Sequence, residues 1–256
     1  EYIQISYKDK DKLYLPVYRV GQLQKFSGAA QTGLLDKLGG TGWEKTKIKV
    51  KSHLRDIASE LLQLYAKRNE IARPPIKLDE IAYGQFERSF PFDETDDQIK
   101  AINDIQRDFH STKPMDRLIC GDVGFGKTEV SMRAAFQAVQ DKKQVAVLAP
   151  TTVLTFQHLE TFKKRFAGWN LNIKSLNRFV SAADQKKTLA ELKEGKVNIL
   201  IGTHRLLSKD VVFKDLGLLI IDEEQKFGVT HKEKIKKFKT DVDTLTLSAT
   251  PIPRTL

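Results

Sequence analysis

Apolar residues beyond about residue 84 fall into short, nearly continuous runs, the pattern expected of strands that are buried on both faces. Six runs are rich in apolar and β-branched residues: Arg117–Cys120, Gln144–Ala149, Asn172–Leu176, Val197–Ile201, Leu216–Ile221 and Thr244–Leu247. Helical periodicity occupies the intervening segments Thr128–Gln140, Val153–Phe166 and Ala182–Glu194. The alternation predicts an α/β domain with a parallel sheet and helices on both faces, and such sheets bind ligands at the carboxyl ends of their strands.

The first 83 residues follow other patterns. Leu13–Val20 is rich in β-branched and aromatic residues, and Pro16 within it indicates an edge strand because proline cannot donate to a sheet ladder. Between residues 43 and 70, apolar side chains recur every three or four positions, which predicts one long helix that ends before Pro74-Pro75. We therefore expect three parts: a partial β module at residues 1–38, a linker helix at 39–83 and the α/β domain at 84–256.

Composition indicates the class of protein, its compartment and one possible partner. Hydrophobic residues make up 40% and charged residues 30% of the chain, as in soluble globular proteins, and no apolar run approaches the roughly 20 residues of a membrane helix. The single cysteine, Cys120, excludes an intrachain disulfide, agrees with a reducing cytoplasm and is expected to be a small core residue. The net charge of +10 is compatible with a nucleic-acid partner, although many basic proteins bind none.

The segment Gly121–Thr128 reads G-D-V-G-F-G-K-T between an apolar strand and a helical pattern. This context distinguishes a phosphate-binding loop from a glycine-rich turn that matches the motif by chance. Lys127 is expected to reach the β- and γ-phosphates of ATP, and the hydroxyl of Thr128 is expected to bind Mg²⁺. The predicted nucleotide contacts in and after the loop are Gly121, Asp122, Val123, Gly124, Phe125, Gly126, Lys127, Thr128 and Glu129.

A second candidate site is the acidic pair Asp222-Glu223, which follows the apolar run Leu216–Ile221. Alone, such a pair is typical of a surface turn. Together with the phosphate loop it predicts catalysis by Lys127, Asp222 and Glu223, in which Asp222 holds Mg²⁺ and Glu223 is the general base for the attacking water. The residues expected to couple the γ-phosphate to neighbouring loops are Glu224, Gln225, Ser248 and Thr250.

The order of these motifs resembles that of the first RecA-like domain of superfamily 2 helicases and translocases. Phe90-Pro91-Phe92 with Thr95 and Gln98 looks like the family's Q motif, which implies that Gln98 reads the adenine edge and Phe92 stacks nearby. Two further segments, 150–158 and 202–207, are similar to motifs Ia and Ib. The resemblance implies that they contact a nucleic-acid backbone, although each alone is equally typical of a helix cap. The implied DNA contacts are Thr151, Thr152, Gln157, Thr203, His204 and Arg205.

A narrower resemblance is to the RecG-type branch of double-stranded DNA translocases, and within it to the bacterial transcription-repair coupling factors. It is carried by the segments 13–17, 37–43, 61–66, 121–128, 222–229 and 250–256. It implies an ATP-dependent translocase on double-stranded DNA that displaces stalled RNA polymerase and helps to recruit an excision-repair factor. It also implies that residues 1–38 belong to a Tudor-like module that binds the RNA polymerase β subunit.

The resemblance places the arginine fingers of the motor in a second RecA-like domain, and this sequence stops at Leu256, before such a domain. We therefore expect the 256-residue chain alone to hydrolyse ATP little, because the fingers stabilise the transition state from across the cleft. Two alternatives stay open. One is a fragment of a RecG-like helicase on branched DNA, whose motor should follow a wedge domain. The other is a polymerase-binding module that only senses nucleotide.

Overall fold

The computed structural model of the chain describes residues 1–23, 41–239 and 241–250. The chain divides into two compact units, Glu1–Leu64 and Tyr65–Leu256. Their boundary lies within the segment predicted as a linker. Among the described residues, no helix combines the length and the apolar character that crossing a membrane requires.

The first unit begins with a two-stranded antiparallel ribbon of β1 (Tyr2–Ser6) and β2 (Lys12–Pro16). Pro16 pairs with Tyr2 at the end of this ribbon, where a missing N–H costs no central ladder bond. A long helix, α1 (Gly42–Glu70), follows in the segment where helical periodicity was predicted and leads into the second unit. Residues 37–40, which contributed to the resemblance, lie outside the described residues.

The second unit is a six-stranded parallel sheet with helices on both faces. Its strands are β3 (Asp116–Cys120), β4 (Gln144–Leu148), β5 (Ile173–Leu176), β6 (Ile199–Gly202), β7 (Leu216–Asp222) and β8 (Asp243–Ser248). Its helices after α1 are α2 (Glu80–Arg88), α3 (Asp96–His110), α4 (Lys127–Gln140), α5 (Thr152–Arg165), α6 (Ala182–Glu194) and α7 (Val229–Phe238). The strand order is β3-β8-β7-β4-β6-β5. The predicted fold class is therefore confirmed, and each predicted run corresponds to one strand.

Alternate side chains of the central strands supply two hydrophobic cores. Val145 and Val147 of β4 pack with the residues of α2, α3 and α4, whereas Ala146 and Leu148 pack on the opposite face with Leu192 of α6. Because β4 is buried on both faces, its sequence is apolar at four successive positions, 145–148. The two cores hold the strand ends, and hence the loops that follow them, in a fixed order.

The edge strand β3 departs from this pattern and corrects one expectation. Its residues alternate between exposed and half-buried positions, and Leu118 is 51% exposed. Cys120 is exposed as well, so the prediction that it is a small core residue was wrong. An apolar run of this length is typical of a central strand, but within the described residues β3 pairs with β8 alone.

Candidate nucleotide-binding site

The strand order brings the predicted motifs to one edge of the sheet. Cys120 at the end of β3 pairs with Ser248 of β8, and Leu247 pairs with Asp222 of β7. The backbone N–H of Gly121 donates to the carbonyl of Ser248 at 3.2 Å. Neighbouring strands lie about 4.8 Å apart, so the loop after β3 and the carboxylates after β7 start about 10 Å from each other.

The phosphate-loop sequence forms a turn that leads directly into α4. Gly124 and Gly126 have φ angles of 90° and 72°, a region that favours glycine because it has no Cβ. The ammonium group of Lys127 donates to the backbone carbonyls of Gly121 and Asp122, the latter at 2.8 Å. Thr128 lies in the first turn of α4, where free backbone N–H groups and the helix dipole favour an anion. The loop therefore has the strand–turn–helix geometry that phosphate binding requires.

Glu129 differs from its neighbours because its side chain is buried, with 4% of the residue exposed. Its carboxylate accepts hydrogen bonds from Arg133 at 3.1 Å and from Arg165 at 2.7 Å and 2.9 Å. The side chain therefore joins α4 to α5. A contact between Glu129 and nucleotide stays a prediction.

The Q-motif glutamine contacts the phosphate loop. Gln98 accepts a hydrogen bond from the backbone N–H of Thr95 at 3.0 Å and donates one to the carbonyl of Phe125 at 3.0 Å. The first bond belongs to a capping box at the start of α3. Phe92 is 72% exposed and lies edge-on to Phe90, with ring centroids 5.5 Å apart. Adenine reading by Gln98 stays a prediction, and the structure adds a direct link between the Q motif and the loop.

The acidic pair after β7 is held from two sides. The carboxylate of Asp222 accepts a hydrogen bond from Nε2 of His158 at 2.8 Å. Glu223 has a φ of 52°, which is uncommon for a residue with a side chain and is the kind of strain that functional sites hold. Its carboxylate accepts hydrogen bonds from Gln225 and from the backbone N–H of Ala249, the latter at 3.3 Å. Both carboxylates are thereby oriented by contacts within the protein.

The residues predicted to couple the site lie together. The amide of Gln225 donates to the hydroxyl of Thr250 at 3.3 Å and accepts from the hydroxyl of Ser248 at 3.4 Å. Glu224 accepts a hydrogen bond from Lys239 at 2.9 Å. Since Gln225 also binds Glu223, one amide connects the carboxylate pair to the end of β8.

The donor set fits magnesium bound together with nucleotide. No cluster of three or more His, Cys, Asp or Glu side chains suited to a metal occurs among the described residues. Mg²⁺ in nucleotide sites takes one or two protein ligands and completes its shell with phosphate oxygens and water. Asp222 offers such a ligand: His158 occupies Oδ2, and Oδ1 accepts no hydrogen bond from the described part of the chain. Thr128 would contribute its hydroxyl from the first turn of α4.

The residues of motif Ia lie at the start of α5. The hydroxyl of Thr151 accepts from the backbone N–H of Leu154 at 3.2 Å, so this residue caps the helix. Thr152 is half-buried, and Gln157 is exposed one turn later. The segment is therefore a helix cap, and contact between these residues and DNA stays a prediction.

The residues of motif Ib follow β6 and are engaged by neighbours. Thr203 is buried, whereas His204 as a whole residue is exposed and only its ring is partly covered, since it stacks on the ring of His231 with centroids 4.7 Å apart. Burial, His231 and a nearby lysine lower the pKa of His204. Arg205 donates both terminal nitrogens to Asp210 at 2.7 Å and 2.5 Å, and this contact lowers the pKa of the Asp210 carboxyl. DNA contacts at these positions also stay predictions.

Comparison with known proteins assigns the family. A sequence profile of the DEAD/DEAH box helicases matches residues 95–256, which is more than half of the chain. The chain belongs to the DEAD/DEAH box helicase family. Its assignment to the superfamily 2 helicases from the motif order is thereby confirmed.

Individual relatives refine this assignment. The helicase chain is 54% identical over its whole length to the transcription-repair-coupling factor of Bacillus subtilis (strain 168) and 52% identical to that of Myxococcus xanthus. It covers 22% and 21% of these proteins, so it spans about a fifth of the length of the curated relatives it matches. A solved structure of RecG bound to a three-way DNA junction is similar over 75% of this chain and 26% of its own, with 36% identity and a TM-score of 0.66. The predicted RecA-like fold is confirmed by this similarity.

Sequence reasoning missed two polar contacts of this helicase domain. His158 was noted within motif Ia, but its hydrogen bond to Asp222 joins residues 64 positions apart. Arg165 was not singled out, although it binds Glu129 beside the phosphate loop. One signal was available: buried His158 and half-buried Arg165 share the side of α5 that carries its buried residues, where a polar side chain needs a partner.

Proposed function

We propose that the chain is the ATP-binding domain of a bacterial double-stranded DNA translocase that acts in transcription-coupled repair in the cytoplasm. In this proposal the whole protein displaces stalled RNA polymerase and helps to recruit an excision-repair factor. The observation that carries the proposal is the convergence of the phosphate loop, Asp222-Glu223 and Gln225 on one edge of the sheet. The names of the 54% and 52% identical relatives support the repair role.

The geometry supports a division of labour within the ATP site. The backbone N–H groups of the loop and the start of α4 bind the phosphates, and Lys127 exchanges its two carbonyl partners for phosphate oxygens. Asp222 and Thr128 hold magnesium, which when bound neutralises charge that develops on the phosphates. Glu223 orients the attacking water and accepts its proton.

The contacts of Gln225 offer a route by which loss of the γ-phosphate changes the structure outside the ATP site. Gln225 binds both Glu223 and Thr250, so a change in the hydrogen bonds of the general base alters those at the end of β8. We infer that loss of the γ-phosphate is passed to β8 along this route. The DNA-facing surface in this proposal comprises the starts of α5 and of the turn at His204–Leu207.

Two partners follow from the proposal. Double-stranded DNA binds the motif Ia and Ib surface, and the RNA polymerase β subunit binds the small β module at the amino-terminal end. The exposed aromatic rings of Tyr2, Tyr14 and Tyr18 on this module support protein binding, because tyrosine is enriched at protein interfaces. We further propose that the 256-residue chain by itself turns over ATP slowly, since the fingers that complete the cleft belong to a second RecA-like domain in this superfamily.

Two binding measurements test the proposal. The chain should bind a fluorescent ATP analogue, and Lys127→Ala should weaken that binding at least tenfold without loss of helical circular dichroism. The chain should also retain purified RNA polymerase β subunit on a column, with or without nucleotide. Nucleotide binding that is indifferent to Lys127→Ala, or failure to retain the β subunit, would overturn the corresponding part of the proposal.

The 36% identity to RecG favours one second candidate, a helicase on branched DNA. The two functions make different demands on DNA. A RecG-like protein should bind a three-way junction more tightly than a linear duplex of equal length, whereas the translocase should bind both alike. Fluorescence anisotropy with the two DNAs at equal salt separates the candidates.

A further inference from the structure

A buried histidine contacts the carboxylate that is expected to hold magnesium. Nε2 of His158 lies 2.8 Å from Oδ2 of Asp222, and the two side chains are only 10% and 13% exposed. A carboxylate accepts hydrogen bonds, so Nε2 carries a hydrogen and donates a hydrogen bond to Asp222. This contact is absent from the residue roles that the helicase motifs imply.

The position of His158 follows from the periodicity of α5. Thr155, His158 and Phe162 are the buried residues of this helix, at spacings of three and four that place them on one stripe facing the sheet. The imidazole packs edge-on to the ring of Phe162, with centroids 6.3 Å apart and planes at 83°. The neighbouring ring thereby fixes the plane of the imidazole and the direction in which Nε2 donates.

The same stripe makes a second contact with the ATP site. Arg165 lies seven residues after His158, or two helical turns, and binds Glu129 at 2.7 Å. Glu129 directly follows Thr128, the other expected magnesium ligand. Helix α5 therefore contacts both β7, which ends in Asp222, and α4, which follows the phosphate loop.

We propose that His158 is a positioning residue for the ATP site, which fixes the Asp222 carboxylate so that its free oxygen faces magnesium. The inference rests on the proposed nucleotide-binding function and deepens it. A hydrogen-bonded partner behind a metal ligand typically contributes 10–100-fold to metal affinity, because a ligand that is free to rotate must be ordered when the metal binds. Because the His158 side chain is only 10% exposed and donates to Asp222, we expect nucleotide binding without magnesium to be independent of it.

The test measures magnesium dependence of binding. The 256-residue chain is saturated with a fluorescent, non-hydrolysable ATP analogue, and Mg²⁺ is titrated from an EDTA-buffered zero. We expect His158→Leu, which keeps apolar volume but removes the donor, to raise the half-saturating Mg²⁺ concentration about 10-fold or more. His158→Gln, whose amide nitrogen reaches the place of Nε2, should restore it to within about threefold. The affinity for the analogue in EDTA should stay unchanged in both variants.

Controls separate positioning from packing. Thr155→Val changes the same buried stripe of α5 without touching Asp222, and should leave the Mg²⁺ titration as in the wild type. His158→Leu should have no further effect when added to Asp222→Ala, which removes both the expected magnesium ligand and the acceptor of the His158 hydrogen bond. If His158→Leu does not fold, the comparison of His158→Gln with His158→Asn takes its place, because asparagine is too short to reach Asp222.

The outcomes distinguish this inference from the function on which it rests. An unchanged Mg²⁺ titration in folded His158→Leu overturns the positioning role, as does an equal effect of Thr155→Val. Failure of the wild-type chain to bind the analogue, or binding that Lys127→Ala does not weaken, instead overturns the nucleotide-binding function. A change confined to affinity in EDTA would also contradict the inference, because it would place His158 against nucleotide.

Discussion

Among single residues, Asp243 is a carboxylate whose burial opposes its charge. Its Oδ1 accepts hydrogen bonds from Arg73 at 2.9 Å and from the backbone N–H of Met115, while Oδ2 has no partner among the described residues. Burial raises the pKa of Asp243 to about 6, and the opposing effects of Met115 and Arg73 are smaller. The folded state therefore holds this proton more tightly than the unfolded chain, so stability falls as pH rises from about 4 to about 6.

Asparagine at position 243 would remove this titration. We expect the free energy of unfolding of the wild type, measured relative to Asp243→Asn, to rise by about 1.4 kcal/mol as pH falls from 7.5 to 5. Urea unfolding at several pH values measures the difference, and the exposed Asp241→Asn gives the background. Parallel pH dependences for wild type and Asp243→Asn would show that the carboxyl titrates alike in both states.

Two glycines of the phosphate loop allow backbone strain to be separated from a side-chain contact. A Cβ at Gly124 meets nothing within 4 Å, whereas one at Gly126 lies 2.2 Å from Nε2 of Gln98. Both have positive φ, so alanine at either costs about 1 kcal/mol in strain. Gly126→Ala also displaces Gln98 from the carbonyl of Phe125.

We therefore expect Gly126→Ala to destabilise the chain more than Gly124→Ala, by about 1 kcal/mol, the net worth of one hydrogen bond. In a Gln98→Ala background the two substitutions should cost the same, because the displaced contact is already gone. Thermal unfolding is measured for the wild type, the two glycine variants, Gln98→Ala and the two double variants. Together these six proteins form a double-mutant cycle. A difference that survives Gln98→Ala would assign it to something other than the Q motif.

At the scale of elements, α4 and α5 are joined by charges rather than by apolar side chains alone. Glu129 is shared by Arg133 and Arg165, and the guanidinium of Arg165 also lies 3.8 Å over the ring of Phe86. Removing one partner of a buried ion pair leaves charge without compensation. We expect Glu129→Gln to lower stability by about 3 kcal/mol, and the exposed Glu160→Gln on α5 to change it little.

The same variant tests the role predicted for Glu129 in nucleotide binding. Measured on the folded fraction, the affinity of Glu129→Gln for an ATP analogue should match that of the wild type, because the side chain faces α5. Equilibrium binding combined with urea unfolding separates the two effects. Weaker binding in a fully folded variant would favour a direct nucleotide contact.

Element identity was predictable from the sequence because burial on both faces leaves continuous apolar runs. Residues 144–149 and 216–221 are such runs, and they became β4 and β7 with boundaries within one residue. The positions of the phosphate loop and the acidic pair could then be predicted as well, since each lies at or directly after the end of a strand. The position of β3 at the edge of the sheet was not predictable: Leu118 and Cys120 have the composition of a central strand, but β3 has no second neighbouring strand in the part of the chain that the structure describes.

Pairings between distant segments were also beyond sequence reasoning. Nothing local to Gln144 shows that its amide donates to the carbonyls of Leu192 and Val197 and accepts from the backbone N–H groups of Lys214 and Asp215. The contact of His158 with Asp222 is of the same kind. Such pairs depend on the strand order β3-β8-β7-β4-β6-β5, which a single sequence does not determine.

At the scale of the second unit, the carboxyl ends and the amino ends of the parallel strands form two opposite edges of the sheet with different functions. The carboxyl edge carries the phosphate loop and the acidic pair, while the amino edge receives the chain from α1. Arg68 at the end of α1 is buried and donates to the carbonyls of Met115 at 2.8 Å and of Lys239. Strand β8, which has six residues, separates the two edges by roughly 17 Å. We call the contact of Arg68 with these two carbonyls the anchor of α1. A substitution in this anchor should therefore change the stability of the chain without changing its affinity for nucleotide.

Arg68→Met tests this separation, since methionine fills apolar space but cannot satisfy the two carbonyls. Leaving buried acceptors without donors costs about 1–3 kcal/mol each, so we expect a loss of roughly 2–4 kcal/mol in the free energy of unfolding. Affinity of the folded chain for an ATP analogue should stay within about twofold, because the substitution lies at the amino edge. The exposed Arg55→Met on α1 controls for loss of charge. If nucleotide affinity fell in Arg68→Met while stability held, the anchor of α1 would be coupled to the ATP site rather than merely supporting the sheet.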